Sequence, residues 1–201
     1  MSKKVFIADC QVFQEPAWHR GMGKYSLSLL RELQNNIYFT SHYELILLFN
    51  SNLPFERSMA EIVKAEIGPV EHIILELPVY SSGDSLIKVQ KKCEKTINEY
   101  FDENYKDSDI TFLIMSLFLQ YACPVYPAKS KKVLLYYDLI MLQYYRMYLG
   151  LGASEQHFGH YKTLFESDLI LSISKTVAND LTIYLGITKD NIANIDGAPI
   201  K

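Results

Sequence analysis

The chain has 201 residues, of which 49% are hydrophobic and 21% are charged, and its formal net charge is -3 at pH 7. This length and composition are typical of one globular domain with a substantial core. The small negative charge excludes a general attraction to nucleic acid or to an anionic membrane, and no apolar stretch is long enough to span a bilayer.

The amino terminus carries only the four-residue apolar run VFIA before Asp9, which predicts a buried strand and not a signal peptide. The cysteines Cys10, Cys93 and Cys123 are widely spaced and odd in number, which fits neither a disulfide framework nor a zinc site. We therefore expect free thiols in a reducing cytoplasm.

Seven short apolar runs predict the strands of a parallel sheet that is buried on both faces. In chain order they cover residues 5–8, 44–49, 72–77, 110–115, 132–137, 169–174 and 191–195. Amphipathic stretches between them predict helices over about 22–33, 86–101 and 177–185, with weaker ones over 56–66 and 156–166. We expect residues 81–84 to cap the second helix, and Ser174 and Gly186 to start and stop the third.

This alternation predicts an α/β fold: a single Rossmann-like, doubly wound and mainly parallel sheet flanked by helices, formed by residues 1–201. In such sheets ligands bind beyond the carboxyl ends of the strands. The residues that follow each apolar run are therefore the candidates for a site.

Gly21 and Gly23 stand at the entrance to the first helix, where free backbone N–H groups and the positive end of the helix dipole favour an anion. Arg20 and Lys24 flank them and can add positive charge. The alternative is a structural joint between loop and helix that needs a positive φ. An NAD site is disfavoured, because Ser26 stands where a third glycine belongs and the second strand ends without a carboxylate.

Asp138 directly follows the run at 132–137, so its carboxylate is expected at the carboxyl edge of the sheet. There it can orient a hydroxyl or a neighbouring side chain, or it can cap the following turn. Ser174 has the same position after LILSI (residues 169–173), although capping a helix alone would explain it.

Tyrosines are concentrated between residues 136 and 150 of a chain that contains 15 of them. They predict either a tyrosine-rich core and surface loop, or an aromatic rim that stacks on sugar rings or rests at a membrane interface. The five histidines form no H-E-x-x-H pattern, and the pair His157 and His160 lacks an evident carboxylate or cysteine partner. We expect no bound metal.

Three stretches together resemble one family of enzymes. They are ADCQVFQEPAWHRGMGKYSLSLL (residues 8–30), VLLYYDLIML (133–142) and SDLILSISKTVANDLTIYLGI (167–187). Their order and spacing are similar to those of the retaining glycosyltransferases of family 4, which have the GT-B architecture. In that family two Rossmann-like domains face a cleft, the first binding mainly the acceptor and the second the nucleotide-sugar donor.

The donor domain of the family carries a Glu-x7-Glu pattern, and no two glutamates of this chain have that spacing. The resemblance therefore implies that residues 1–201 are the N-terminal, acceptor-side domain of a longer enzyme whose C-terminal donor-binding domain is absent from this chain. We expect such a fragment to fold but to be inactive alone.

The resemblance also assigns residues to the donor side of the cleft. Gly21, Met22, Gly23 and Lys24 match the family's glycine loop, whose backbone approaches the donor, with Lys24 in place of the usual arginine. Ser174 matches the family's Val-Ser position.

For catalysis the resemblance implies Asp138, which matches the aspartate of a His-Asp-Leu motif, and Tyr137, which stands where the family commonly has the histidine. A tyrosine can hydrogen-bond a sugar hydroxyl but does not readily share a proton at neutral pH. Trp18, His19 and Arg20 are the candidates for acceptor contacts, the alternative being a packed tryptophan beside a solvated pair.

The implied activity is transfer of a sugar from a nucleotide-sugar to a saccharide or glycoconjugate acceptor with retention of configuration, in cell-surface polysaccharide synthesis. The implied place is the cytoplasm, at the inner face of the membrane with peripheral contact to it, without a metal and without nucleic acid. The alternative is a non-catalytic Rossmann-like module that binds a small anion or a protein partner. The reading frame beyond Lys201 distinguishes the two.

Overall fold

A computed structural model of the chain describes residues 4–19, 21–53, 62–63, 65–81, 83–144 and 151–196. Within these ranges seven strands form one sheet, and every neighbouring pair of strands runs parallel. The strands are β1 (Lys4–Asp9), β2 (Tyr43–Asn50), β3 (Glu71–Leu75), β4 (Ile110–Ile114), β5 (Lys131–Tyr136), β6 (Leu169–Ser172) and β7 (Ile192–Asn194). Each predicted strand is confirmed to within a few residues.

Helices lie in the connections of the sheet, except between β4 and β5, where the described residues 115–130 form a loop. The α-helices are α1 (Gly21–Asn35), α2 (Ile37–His42), α3 (Leu86–Asn104), α4 (Ile140–Gln143), α5 (Leu151–Phe165) and α6 (Lys175–Leu185), and shorter 3-10 turns cover Cys10–Gln14, Pro16–His19 and Lys189–Asn191. The helices predicted over 22–33, 86–101, 156–166 and 177–185 are confirmed. The helix predicted over 56–66 falls mostly outside the described residues, of which 62–63 and 65–67 are helical.

The strand order is β3-β2-β1-β4-β5-β6-β7, so the chain winds outward from β1 to β3 and then crosses back through α3 to place β4 beside β1. Helices α1 and α2 pack on one face of the sheet, and α3, α5 and α6 pack on the other. The fold is therefore the expected doubly wound, Rossmann-like α/β sheet. Its topological switch point lies between β1 and β4, beyond whose carboxyl ends such sheets bind ligands.

The two predicted helix starts differ in outcome. Ser174 caps α6 by accepting the N–H of Val177 at 3.2 Å, and Gly186 ends the helix with a φ of 68°. The cap predicted at 81–84 is wrong, because α3 is preceded by Ser85 instead. The Asp84 carboxylate accepts the hydroxyl and the N–H of Ser81, which closes a separate turn ahead of the helix.

The cysteines and the described tyrosines agree with ordinary packing. All three cysteines are buried and free, as predicted, and burial raises the pKa of the Cys93 thiol to about 12. Tyr136 belongs to the core, whereas Tyr144 is exposed and residues 145–150 lie outside the described part of the chain. Among the helices described, none combines the length and the apolar character needed to cross a bilayer.

Candidate functional site

The first turn of α1 stands at the carboxyl edge of the sheet, where it meets the residues that follow β4 and β5. The carbonyl oxygen of Met22 accepts the Tyr137 hydroxyl at 3.0 Å. The Ser116 hydroxyl, just beyond β4, donates to the Met22 sulfur at 3.7 Å. These contacts bring two stretches that are more than ninety residues apart to one side of the switch point.

Tyr137 joins the end of β5 to α1 through its hydroxyl. That oxygen lies 2.8 Å from the Ser26 hydroxyl, and since a phenol has one proton, already donated to Met22, Ser26 donates to Tyr137. The ring also meets Tyr25 edge to face, with centroids 5.9 Å apart. Burial raises the pKa of Tyr137 well above its usual value, so the hydroxyl keeps its proton at neutral pH.

The two glycines of this turn have different surroundings. A Cβ at Gly23 would lie 2.6 Å from the Cα of Trp18 and closer still to its carbonyl oxygen, whereas a Cβ at Gly21 would meet no atom of the described residues within 4 Å. Neither glycine has a positive φ, so the alternative of a joint that needs one is wrong. Gly23 is therefore required by close packing, whereas the described residues leave room for a side chain at Gly21.

The residues expected to contact the acceptor are only partly described. Trp18 is half-buried and packs against the core on the α1 face of the sheet. Arg20 and the side chain of His19 lie outside the described residues. Lys24 is exposed on the first turn of α1. The acceptor contacts therefore stay a prediction.

Asp138 and Ser174 are at the same edge as Tyr137, and both cap local structure. Asp138 is exposed and its Oδ1 accepts the N–H of Ile140 at 3.0 Å, which caps the turn that enters α4. Ser174 follows β6, which pairs with β5, and caps α6. The capping role considered for each residue is confirmed, and any further role in binding or catalysis stays a prediction.

A buried network of side-chain amides closes the edge above β1, β2 and β3. Asn50, the last residue of β2, donates from Nδ2 to Gln11 and accepts the N–H groups of Asn52 and Leu77 at 3.0 and 3.1 Å. Gln14 exchanges two 2.8 Å hydrogen bonds with the backbone of Asn50. Because these polar atoms bond each other, the candidate binding residues of this edge are those that follow β4, β5 and β6.

Sequence reasoning used Asn50 only to argue against NAD and did not predict this network. The signal that selected Asp138, a polar residue directly after an apolar strand, applies equally to Asn50 and to Asp9. Glu15, Gln11 and Gln14 carry no such signal, since they read as ordinary loop residues.

Asp9 ends β1 as a buried carboxylic acid that is 4% exposed. Its two oxygens accept the backbone N–H and the side-chain amide of Gln11, each at 3.1 Å. Burial raises its pKa to about 6, although the hydrogen bonds from Gln11 act in the opposite direction. The group is therefore ionised at neutral pH, where its burial opposes folding.

Asp9 predicts a specific dependence of stability on pH. The unfolded carboxyl ionises near pH 4 and the folded one near pH 6, so the folded chain binds more protons between them. The free energy of unfolding should fall by about 3 kcal/mol across that window, and Asp9→Asn should lack this component. Urea unfolding at pH 4 to 7 measures it, with Asp107→Asn at an exposed aspartate as the control. A difference between wild type and Asp9→Asn that is constant with pH would contradict the assignment.

Within the described ranges, no group of three or more His, Cys, Asp or Glu side chains is arranged to hold a metal ion. The carboxyl edge above β4, β5 and β6 carries a tyrosine, serines, an exposed aspartate and the first turn of α1. Such a set can hydrogen-bond hydroxyl groups and receive an anion.

The fold and this edge define a doubly wound parallel α/β domain whose first helix begins above the carboxyl ends of β4 and β5. No protein-family model matches the sequence, and no curated protein matches it significantly. Among solved structures, glucose-6-phosphate dehydrogenase in complex with its substrate glucose-6-phosphate aligns with 93% of this chain, at 16% identity and a TM-score of 0.37. The aligned chain covers 40% of that protein's length. A likeness at this score carries no argument about fold or function, and the fold class stands on strand order and packing.

Proposed function

We propose that this chain is the acceptor-side domain of a retaining glycosyltransferase of the GT-B type, which transfers a sugar from a nucleotide-sugar to a saccharide or glycoconjugate acceptor. The observation that carries the proposal is the hydrogen bond from Tyr137 to the carbonyl of Met22. It joins the glycine segment to the strand end at 133–142, and the stretch at 167–187 follows in the neighbouring strand. The three stretches that resemble the family thus meet at one edge.

In this function the first turn of α1 receives the donor phosphate. The first N–H groups of a helix have no partner within it, and the dipole places about half an elementary positive charge there. Gly21 leaves this backbone uncovered, and the exposed Lys24 adds a cation. Negative charge that develops on the leaving phosphate is then stabilised by backbone amides and cationic side chains.

The acceptor lies between this turn and the loop that follows β5. Asp138 is exposed there and can accept a hydrogen bond from an acceptor hydroxyl while its Oδ1 accepts the N–H of Ile140 at the start of α4. Tyr137 acts through α1, because its hydroxyl already bonds Met22 and Ser26. Trp18, His19 and Arg20 precede the same turn and remain the candidates for acceptor contacts.

The strand order also occurs in dinucleotide-binding domains, but the end of β2 argues against that use. An NAD site of this kind places a carboxylate there for the ribose hydroxyl. This chain has Asn50, whose side-chain amide bonds Gln11, Asn52 and Leu77. The side chain at the position that would bind the ribose therefore makes hydrogen bonds within the protein instead.

The proposal is tested on the protein encoded by the complete reading frame that contains this chain. It is incubated with UDP-, GDP- and dTDP-sugars and mixed saccharide acceptors, and release of the nucleoside diphosphate and the anomeric configuration of the product are measured. We expect transfer with retention from at least one donor. A protein that shows no transfer and binds no nucleotide-sugar, but does bind inorganic phosphate or a protein partner, would favour the non-catalytic module instead.

Membrane contact and cytoplasmic location at the inner face of the membrane are part of the proposal. Co-sedimentation of the complete protein with vesicles tests the contact directly. Equal recovery of the protein in the supernatant with and without vesicles would contradict the proposed membrane contact, and the proposed transfer reaction would still stand.

Replacement of Tyr137 by phenylalanine tests its positioning role. The change leaves the fully buried Ser26 hydroxyl without its acceptor, which should cost about 1–2 kcal/mol of stability. Transfer should fall roughly tenfold, and Ser26→Ala should lower it by a similar factor. Both variants are compared by urea unfolding and by kcat and KM. A far larger loss in Tyr137→Phe than in Ser26→Ala would show that the phenol acts by more than its bond to Ser26, through its bond to Met22 or by touching the sugar.

A further inference from the structure

Glu15 is a carboxylate buried in the connection between β1 and α1. It is 2% exposed, and a charge this deep is costly unless it is hydrogen-bonded. Its Oε1 accepts the backbone N–H groups of Tyr121 and Ala122 at 2.7 and 2.8 Å, and its Oε2 accepts that of Gln120 at 3.3 Å. Three successive amides of the loop after β4 therefore surround one carboxylate.

The backbone of Glu15 continues this contact toward α1. Its carbonyl oxygen accepts the N–H of Trp18 at 3.0 Å. The backbone of Trp18 in turn packs so closely on Gly23 that no Cβ fits between them. Glu15 is thus connected, through Trp18, to the first turn of the helix that forms the candidate site.

The hydrogen bonds of Glu15 lie at the topological switch point of the sheet. Glu15 follows β1 and its amide partners follow β4, so the carboxylate bridges the topological switch point itself. Hydrogen bonds from N–H groups to an ionised carboxylate are about twice as strong as neutral ones. The Glu15 carboxylate therefore accepts the backbone N–H groups of residues 120–122 at the place where doubly wound sheets bind ligands.

We propose that Glu15 is a positioning residue: its carboxylate holds the loop after β4 and, through Trp18, sets where the first turn of α1 stands at the carboxyl edge. This role is to place the loop after β4 and the first turn of α1, and it does not depend on which ligand binds at this edge of the sheet. It predicts a local effect, in which loss of the carboxylate loosens the segment before α1 and the loop after β4 before the rest of the fold.

Trp18 is the single tryptophan of the chain, so its fluorescence reports on this segment alone. The variants are Glu15→Ala, which removes all three bonds, and Glu15→Gln, which keeps the shape but turns an amide donor toward Gln120. Val177→Ala is the control, because it removes buried volume from α6 on the opposite face of the sheet.

We expect Trp18 emission to shift to longer wavelength and its quenching by acrylamide to increase, more in Glu15→Ala than in Glu15→Gln. Val177→Ala should lower the melting temperature and leave the Trp18 spectrum unchanged. Hydrogen exchange should accelerate roughly 10- to 100-fold at the amides of Tyr121 and Ala122 in Glu15→Gln, as expected for loss of a charged acceptor. The amides of α6 should keep their rates.

The proposal is overturned if the Glu15 variants melt earlier but keep the wild-type Trp18 spectrum and wild-type exchange at Tyr121 and Ala122. If neither variant folds, exchange of the wild-type chain in dilute urea decides. The proposal is supported if the amides of residues 18, 121 and 122 exchange with one common opening free energy that is lower than the free energy of global unfolding. It is overturned if these amides exchange only when the whole chain unfolds. No readout uses a sugar, so this outcome is separate from that of the transfer assay.

Discussion

Replacement of Gly23 by alanine should destabilise the chain by roughly 2–3 kcal/mol, the cost of forcing an extra carbon into close packing. The new Cβ would lie 2.6 Å from the Cα of Trp18. The contacted atoms are the Cα, carbonyl carbon and carbonyl oxygen of Trp18, which belong to the backbone and cannot rotate away as the end of a side chain can. Either α1 or the 3-10 turn at Pro16–His19 must therefore move, and both are tied to the edge of the sheet by Tyr137 and Glu15.

Gly21→Ala is the matched control, two residues away in the same turn. Helix propensity alone favours alanine over glycine by up to about 1 kcal/mol at an interior position, so propensity predicts no loss for either variant. At Gly21 no described atom lies close enough to oppose the added carbon, and the change in stability should stay within about 0.5 kcal/mol. Urea unfolding followed by far-UV circular dichroism measures both. Equal stability of the two variants would contradict the close packing of Gly23 on Trp18.

The sheet was predictable because its strands are buried on both faces. Such strands appear in the sequence as short apolar runs, and the runs at 44–49 and 110–115 became β2 and β4 almost residue for residue. Helix α6 was equally visible, since Ser174 and Gly186 mark its ends by local chemistry. These signals are local, and local signals survive in a single sequence.

The polar part of the edge was not predictable, because its partners are far apart in sequence. Glu15 reads as a loop residue, yet its acceptor role depends on amides 105 to 107 positions later. The Ser26 hydroxyl likewise meets a phenol 111 residues away. No periodicity or cap pattern records such a pairing. The wrong cap at 81–84 has a different, local cause, since Asp84 bonds Ser81 three residues earlier and not the helix.

The glycine pair shows the same limit at closer range. Spacing alone treats Gly21 and Gly23 as one phosphate-binding feature. The structure separates them, because Gly23 is explained by the backbone of Trp18, whereas a Cβ at Gly21 would meet no atom of the described residues within 4 Å. Of the two glycines, Gly21 is therefore the one at which a functional role can be tested without disturbing that packing.

That separation makes Gly21→Val, in the protein encoded by the complete reading frame, the decisive test of the proposed phosphate approach. The branched side chain would stand over the free N–H groups of the first turn and displace a phosphate that approaches them. Transfer should fall roughly 100-fold or more, the size of loss that a displacement of about 1 Å produces. The melting temperature of the variant should stay close to that of the wild type, and Gly21→Ala should lie between them in rate.

The outcome distinguishes three cases. Loss of transfer with an unchanged melting temperature places the donor at this turn. Loss of both indicates a packing role that the open surroundings of Gly21 do not predict. Wild-type transfer in Gly21→Val would mean that the turn is structural and that the donor phosphate is bound elsewhere. Within the described part of this turn, the strict requirement for glycine would then be the one that Trp18 imposes on Gly23.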